Sequence, residues 1–239
     1  MFWVVIFSSF GALLAYFIFF FPLLQVQTIQ VSGNQTVPTD AIKQLAWQQS
    51  HPKILGIPFA SIFMANTRTI SKDLLATFPD AQNAQVSVRW PNALNITITE
   101  RSPVVASCDA QGQCFFVDST GVAYQSTSSV PDGMVVVQPQ AGTNVALGST
   151  VIASSLLDSI VSIRDALRDN FQIGVRSATV GDTLVVTTSE GWQVYFDPTV
   201  DITLQITKLN VLLQKQISEQ DRKKLTYIYL QYQDKAYYK

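Results

Sequence analysis

The sequence contains few of the residues that enzymes use for catalysis. It has one histidine, His51, and two cysteines, Cys108 and Cys114, among 239 residues. The usual nucleophile-elbow, zinc-protease and phosphate-loop strings do not occur. Residues 50–53 match the S-x-x-K pattern, but without its S-D-N and K-T-G partners. We therefore predict no catalytic residue, no metal, no cofactor and no small-molecule substrate.

An excess of basic charge is also absent. The chain carries 16 basic and 17 acidic side chains. Its densest basic cluster, 222–224, follows Glu219 and Asp221, as on a solvated surface. Binding to a phosphate backbone requires a concentrated basic face. The sequence therefore predicts no nucleic-acid partner.

The first 24 residues contain no charged side chain. As a helix, the run from Phe2 to Leu24 would be roughly 34 Å long, enough to cross a bilayer core. Aromatic residues lie toward both ends of this run, as at membrane interfaces. A cleaved signal peptide would have a basic start and an A-x-A site, and a buried helix would be shorter. We predict one transmembrane helix within residues 1–25.

The two cysteines lie in the segment VVASCDAQGQCFFVD. Apolar, strand-like runs flank a five-residue loop, which predicts a β-hairpin. Opposed positions on a hairpin can come within disulfide distance, so Cys108 and Cys114 are a disulfide candidate. Two reduced thiols are the alternative. A disulfide would place the folded chain outside the cytoplasmic membrane, in an oxidising compartment.

Residues 26–101 alternate between strand and helix signals in the order β-α-α-β-β. A short strand ends at the Ser32–Asn34 turn, and two amphipathic helices are predicted over 40–49 and 67–78. In the two strands that follow, period-2 alternation places Val86, Val88 and Trp90 on one face, and Leu94, Ile96 and Ile98 on one face of the next. We expect a compact domain in which two helices cover one face of a small sheet.

Three stretches resemble the FtsQ/DivIB family of bacterial cell-division proteins: IQVSGNQTV at 29–37, PDAQNAQVSVRWPNALNITITERSPVV at 79–105, and LTYIYLQYQDKAYYK at 225–239. The matching positions are Pro79, Ala84, Val86, Pro91, Leu94, Ile96, Ile98, Glu100, Arg101, Pro103 and Val104. Ala81 and Val105 depart from the usual Val and Ala. The resemblance implies an FtsQ-type POTRA domain over 26–101 and a distal β domain over 102–239.

The distal part also fits this resemblance. A D-x-x-G turn begins at Asp118, a helix is predicted over 150–170, and strands are predicted around Val175, Leu184 and Gln193. A second helix near 200–217 is predicted to bury Leu204, Leu209, Leu212 and Leu213. The fold class is α+β, with the helices packed on a mostly antiparallel sheet.

The lack of catalytic and metal-binding residues favours a binding function. The edge of a sheet has unpaired amides and carbonyls that another chain can pair with. The resemblance implies that the last strands bind FtsB in complex with FtsL, through Tyr227, Ile228, Tyr229, Leu230 and Tyr232. Tyr229 and Gln231 replace the Asp and Arg of the family pattern. The other interpretation is that these tyrosines simply complete the sheet.

We predict a non-enzymatic divisome scaffold in septum formation, anchored in the bacterial cytoplasmic membrane by one helix, with most of the chain outside the cytoplasm. Two other functions were considered. A POTRA-bearing translocation or envelope-assembly component would usually continue into many alternating ten-residue strands. An anchored envelope hydrolase would need a nucleophile, a base or a metal set.

Overall fold

The computed structural model describes residues 21–51, 53–54, 57–58, 60–109, 111–140, 143, 145–232 and 235–239, and of the first twenty residues only 3, 7, 9–11, 13, 16 and 17. Twelve of the 25 residues that contain the predicted transmembrane helix therefore lie outside the described residues. Within the described part, no helix has both the length and the apolar character needed to span a bilayer. The chain divides into two compact units, Met1–Arg101 and Ser102–Lys239.

The first unit has a three-stranded sheet covered by helices. Its described elements are β1 Thr28–Ser32, α1 Thr39–Ser50, the short pair β2 Lys53–Ile54 and β3 Ile57–Pro58, α2 Thr67–Thr77, β4 Ala81–Arg89 and β5 Ala93–Glu100. The strand order is β1-β5-β4, with β1 parallel to β5 and β4 antiparallel to β5. Leu94, Ile96 and Ile98 of β5 pack against the buried side chains of both helices. Apart from the short β2–β3 pair between the helices, the elements follow the order β-α-α-β-β predicted from the sequence.

Helix α2 is fixed at its start and along its length. The Asn66 side chain accepts a 3.1 Å hydrogen bond from the Thr69 amide, which satisfies one of the free donors of the first turn. Ile70 and Leu74 are buried, and the Ser71 hydroxyl donates to the Ala84 carbonyl of β4. These contacts hold the helix against the sheet.

Contrary to the sequence prediction, Trp90 does not share a face with Val86 and Val88. Val86 and Val88 pack against the core, but Trp90 is 57% exposed. Strand β4 ends at Arg89, so Trp90 belongs to the turn before β5. The alternation of faces applies only within the strand and does not extend to this turn.

The second unit contains a nine-stranded mixed sheet. Its described elements are β6 Val105–Cys108, β7 Cys114–Val117, β8 Ala123–Thr127, β9 Val136–Gln138, α3 Ser154–Phe171, β10 Val175–Thr179, β11 Leu184–Thr188, β12 Gln193–Phe196, α4 Ile202–Lys215, α5 Glu219–Arg222, β13 Tyr227–Tyr229 and β14 Tyr237–Tyr238. The strand order is β14-β13-β12-β11-β10-β9-β6-β7-β8. The β9–β10, β6–β9 and β12–β13 pairs are parallel, and the other five pairs are antiparallel. The apolar sides of α3 and α4 and the buried residues of the strands form one core.

The two long helices of this unit, α3 and α4, differ in detail from the sequence prediction. Helix α3 begins at Ser154, because Thr150 forms an antiparallel bridge with Val122 and Ala153 has extended backbone angles, so the chain before Ser154 is not helical. In α4, Leu204 is exposed and Gln205 is buried. The Gln205 side-chain amide accepts from the Asp197 N–H at 2.9 Å and donates to the Asp197 carbonyl at 2.8 Å. A glutamine can therefore occupy this inward position because both ends of its amide are satisfied.

Candidate functional site

Strand β13 is not the outermost strand of the sheet. Its Tyr227–Tyr229 segment pairs in parallel with β12 on one side and antiparallel with β14 on the other. The amides of Thr226 and Tyr227 donate to the Lys239 carbonyl at 2.6 and 3.3 Å, and the Lys239 amide donates to the Tyr227 carbonyl at 3.2 Å. The end of the chain therefore turns back and covers the strand that the sequence suggested as the edge.

The predicted binding residues lie on different faces of the sheet. Ile228 and Leu230 are 0% and 1% exposed and belong to the core. Tyr227 and Tyr229 point to the opposite face, where they are half-buried. Tyr232 follows the strand and is 50% exposed. Only the three tyrosines thus offer side chains to a partner.

These tyrosines belong to a larger aromatic group, which we call the tyrosine surface: Tyr195, Tyr227, Tyr229, Tyr232 and Tyr237. The Tyr229 ring centroid is 4.4 Å from that of Tyr195 and 4.8 Å from that of Tyr227. The Tyr232 and Tyr237 rings meet edge to face at 5.5 Å. Tyr195, Tyr229 and Tyr237 are successive partners across β12, β13 and β14, so the rings follow one line across the sheet.

The side chains of the tyrosine surface and of its neighbouring positions on β11 and β12 are uncharged, and the Lys208 ammonium donates to the main-chain carbonyl of Tyr232 at 3.0 Å. Val185 is the cross-strand partner of Tyr195, and Thr187 is the partner of Gln193. The Tyr195 hydroxyl donates to the Gln193 side-chain oxygen at 2.8 Å. Partial burial raises the pKa of Tyr229, and the nearby Tyr195 and Tyr227 raise it further, so this phenol stays neutral at physiological pH. The face around Tyr195, Tyr227 and Tyr229 is therefore aromatic and built from uncharged side chains, with the Lys208 cation at its Tyr232 end.

The outer edge beside the tyrosine surface is short. In an antiparallel ladder, successive residues alternately face the neighbouring strand and face away from it. Lys239 bonds to Tyr227, and Tyr237 is the partner of Tyr229. The alternation therefore directs the main-chain N–H and C=O of Tyr238 away from β13. These groups are where a further strand could pair.

Two members of the tyrosine surface were missed in the sequence. Tyr195 lies in the strand predicted around Gln193, within GWQVYF at 191–196, and Tyr237 lies in the matched stretch 225–239, but neither was among the predicted binding residues. The alternation of GWQVYF indicates that Tyr195 faces away from the buried Val194 and Phe196. No local pattern indicates Tyr237, because its position depends on the return of the chain end to β13.

The structure also places the other residues that were considered for chemistry. Cys108 and Cys114 are cross-strand partners and form a disulfide with an S–S distance of 2.04 Å. Ser50 is buried, and His51 stacks on Trp47 with ring centroids 4.0 Å apart. Among the described residues, no group of three or more His, Cys, Asp or Glu side chains could hold a metal ion.

Comparison with known proteins identifies the first unit. The family model "POTRA domain, FtsQ-type" matches residues 24–101. In the structure this segment has a parallel β1–β5 pair and two helices that cover the sheet. The match identifies it as a POTRA domain of the FtsQ type.

Three relatives extend the match. The chain is 25% identical over 158 residues to the cell division protein FtsQ of Streptomyces bingchenggensis (strain BCW-1), covering 64% of this chain and 56% of the relative. It is 27% identical over 115 residues to FtsQ of Streptomyces collinus, covering 48% and 40%. It is 32% identical over 127 residues to FtsQ of Mycobacterium leprae (strain Br4923), covering 53% and 34%. The matches thus span at most about half the length of these relatives.

With the POTRA match, these relatives support the resemblance of the chain to the FtsQ/DivIB family of cell-division proteins. The resemblance found in the sequence is thereby confirmed.

Proposed function

We propose that this chain is a non-enzymatic, membrane-anchored scaffold of the division machinery that recruits or stabilises an FtsB–FtsL pair during septum formation. Its family and its FtsQ relatives support the role in division. The uncharged run from Phe2 to Leu24 supports an anchor in the cytoplasmic membrane. The Cys108–Cys114 disulfide supports a folded chain on the outer, oxidising side.

The observation that carries the proposal is the tyrosine surface next to the edge strand β14. Cores of protein interfaces are enriched in tyrosine and depleted of charge, and this face has both properties. Tyrosine also offers a large contact area and a hydroxyl that can bond to a partner. A surface of this composition suits a polypeptide better than a small charged substrate.

The topology defines how a partner strand would dock. Strand β13 is paired on both sides, so it contributes side chains only. An extended FtsB segment would instead pair with the outward main-chain groups of Tyr238 on β14. Its side chains would then contact Tyr229, Tyr232 and Tyr237. FtsL would be retained through FtsB, and no bond would be made or broken.

Co-purification of the whole chain with candidate FtsB and FtsL tests this proposal. Tyr229→Lys and Tyr232→Lys introduce charge into the tyrosine surface, and we expect each to reduce partner recovery roughly tenfold, as for a central interface residue. Gln125→Lys is the matched control, because Gln125 is exposed on β8, the opposite edge strand of the same sheet. Full recovery with Gln125→Lys and loss with the tyrosine variants supports docking at β14. Unchanged recovery with both tyrosine variants excludes this surface.

A further inference from the structure

The exposed large apolar side chains of the POTRA domain are gathered at one end. From Gln25 to Arg101, the described residues with such side chains are Trp47, Phe63 and Trp90. The rings of Phe63 and Trp90 meet with centroids 4.9 Å apart. A tryptophan and a phenylalanine in mutual contact at the surface form an apolar patch that water does not favour.

This end of the domain is where the chain emerges from the apolar N-terminal run. Strand β1 begins at Thr28 and runs parallel to β5, which begins at Ala93, so both strands point away from the same end. The Asn92 carbonyl, next to Trp90 and Pro91, accepts hydrogen bonds from the amides of Gln27 and Thr28 at 2.9 and 3.3 Å. The Trp90 turn is thus bonded directly to residues that follow Leu24.

Phe63 and Trp47 are held at this same end by separate contacts. Gln25 forms an antiparallel bridge with Ser61, which immediately precedes the helical turn Ile62–Met64 that carries Phe63. Trp47 lies near the end of α1 and lines a recess together with Gln27 and Thr28. Three aromatic side chains therefore surround the first residues after the apolar run.

Charge is distributed in a way that matches this arrangement. The sequence has no carboxylate between Asp40 and Asp73, and none between Asp80 and Glu100. Lys43 lines the same recess as Trp47, and Arg89 directly precedes Trp90. Asp80 and Glu100 lie at the opposite end, where β4 begins and β5 ends. The aromatic end is thus cationic, and the carboxylates of the sheet are at the far end.

We propose that this aromatic end rests on the phospholipid surface, with Trp90 and Phe63 in the interfacial region and Lys43 and Arg89 facing anionic headgroups. Tryptophan and other aromatic rings favour the membrane interface, and cations near the surface are attracted to anionic lipid. A binding site for a soluble partner protein would not require the apolar N-terminal run to join the domain at the aromatic end. The lipid surface therefore fits the patch best. The inference rests on the proposed membrane anchor, and it adds a fixed orientation of the POTRA domain.

Fluorescent labels near the two ends of strand β4 test the orientation. Trp90→Cys and Asn83→Cys each supply a single free thiol while Cys108–Cys114 remains bonded. Asn83 is exposed on β4, six residues and thus about 20 Å before Arg89, the last residue of the strand, which directly precedes Trp90. The full chain is reconstituted in vesicles of phosphatidylethanolamine and phosphatidylglycerol, some carrying a quencher near the headgroup. We expect roughly twofold greater quenching at position 90 than at position 83.

An alkaline wash of the same vesicles separates this inference from the anchor itself. If the chain stays with the vesicles and quenching is equal at the two positions, the resting surface is excluded and the anchor stands. Loss of the chain from the vesicles excludes both.

A second measurement avoids replacing the aromatic ring. Subtracting the fluorescence of Trp90→Phe from that of the unaltered chain gives the emission of Trp90. We expect brominated lipid to quench this emission. The emission of Trp192, a buried residue of the second unit, is obtained in the same way from Trp192→Phe and should not be quenched. Equal quenching of the Trp90 and Trp192 emissions contradicts the proposal.

Discussion

Tyr195 and Tyr229 lie opposite each other on the parallel strands β12 and β13, with their ring centroids 4.4 Å apart. This contact belongs both to the sheet and to the proposed docking surface. A substitution at either residue therefore changes stability as well as binding, and the two effects have to be measured separately.

Tyr229→Phe and Tyr229→Ala separate the ring from the hydroxyl. The Phe variant keeps the contacts of the ring with Tyr195 and Tyr227, so we expect its unfolding free energy to change by less than about 0.5 kcal/mol. The Ala variant loses these ring contacts, so we expect a loss of about 1 kcal/mol or more. Urea unfolding of the second unit measures both. Equal stability of the two variants would show that the ring contacts contribute nothing.

Glu100 holds the loop between β1 and α1. Its Oε1 accepts from the Gln35, Thr36 and Val37 amides at 2.7, 2.9 and 2.9 Å, and its Oε2 accepts from Thr36 at 2.9 Å. Hydrogen bonds to a charged acceptor are stronger than those to a neutral one. We expect Glu100→Gln to destabilise the POTRA domain by about 1–3 kcal/mol at pH 7 in urea unfolding. A change within error would contradict this role.

The same carboxylate predicts a pH dependence. Burial raises the pKa of Glu100, but the amides of Val37, Thr36 and Gln35 together outweigh it and hold the pKa below its ordinary value. Since the folded-state pKa is depressed, the stabilisation is present above the unfolded-state pKa and is lost as the pH falls through the folded-state pKa. The stability difference between the unaltered chain and Glu100→Gln should therefore shrink below about pH 4.3.

The titration of Asp80 opposes part of the pH dependence of stability that Glu100 produces. Burial raises the pKa of Asp80, and the negative charge of Glu100 raises it further. Removing that charge in Glu100→Gln should lower the Asp80 pKa toward its ordinary value. NMR titration of the Asp80 carboxyl carbon in both proteins measures the shift and corrects the stability comparison. An unchanged Asp80 titration would contradict the interaction.

Three glycines with positive φ provide a matched series. A Cβ on Gly33 would collide with the Ile98 carbonyl oxygen, and one on Gly121 would collide with the Ile152 carbonyl oxygen. A Cβ on Gly112, at φ +82°, meets nothing within 4 Å. Gly112→Ala should therefore cost only the strain of the left-handed conformation, about 1 kcal/mol. Gly33→Ala and Gly121→Ala should each cost clearly more in thermal unfolding, and equal losses for all three would show that the backbone yields freely.

Removing the disulfide tests both stability and compartment. In the chain-entropy model, closing the small Cys108–Cys114 loop stabilises the fold by about 2 kcal/mol, so Cys108→Ser with Cys114→Ser should lower the unfolding free energy of the second unit by that amount. Mass measurement with and without reductant, on protein from intact envelopes, should show a bonded pair. Free thiols in that sample would contradict the outer location.

The sequence predicted the elements whose signals are local. Two amphipathic helices and the β4–β5 hairpin of the POTRA domain follow from side-chain periodicity within each element. Periodicity was less informative in α4, where it favoured Leu204 as an inward residue. The structure buries Gln205 instead, because the main chain of Asp197 satisfies its amide, and that contact comes from outside the helix.

By itself, the amino-acid sequence determined the scarcity of catalytic groups, the apolar N-terminal run and the resemblance to a family. These properties depend on composition and on short patterns, which need no knowledge of distant contacts. Only the tertiary structure decided that β14 covers β13 and that Tyr195 and Tyr237 join the tyrosine surface. It also gathered Trp47, Phe63 and Trp90 at one end of the POTRA domain. Strand pairing and surface patches join residues that are far apart in the chain, and local patterns carry no information about which of them meet.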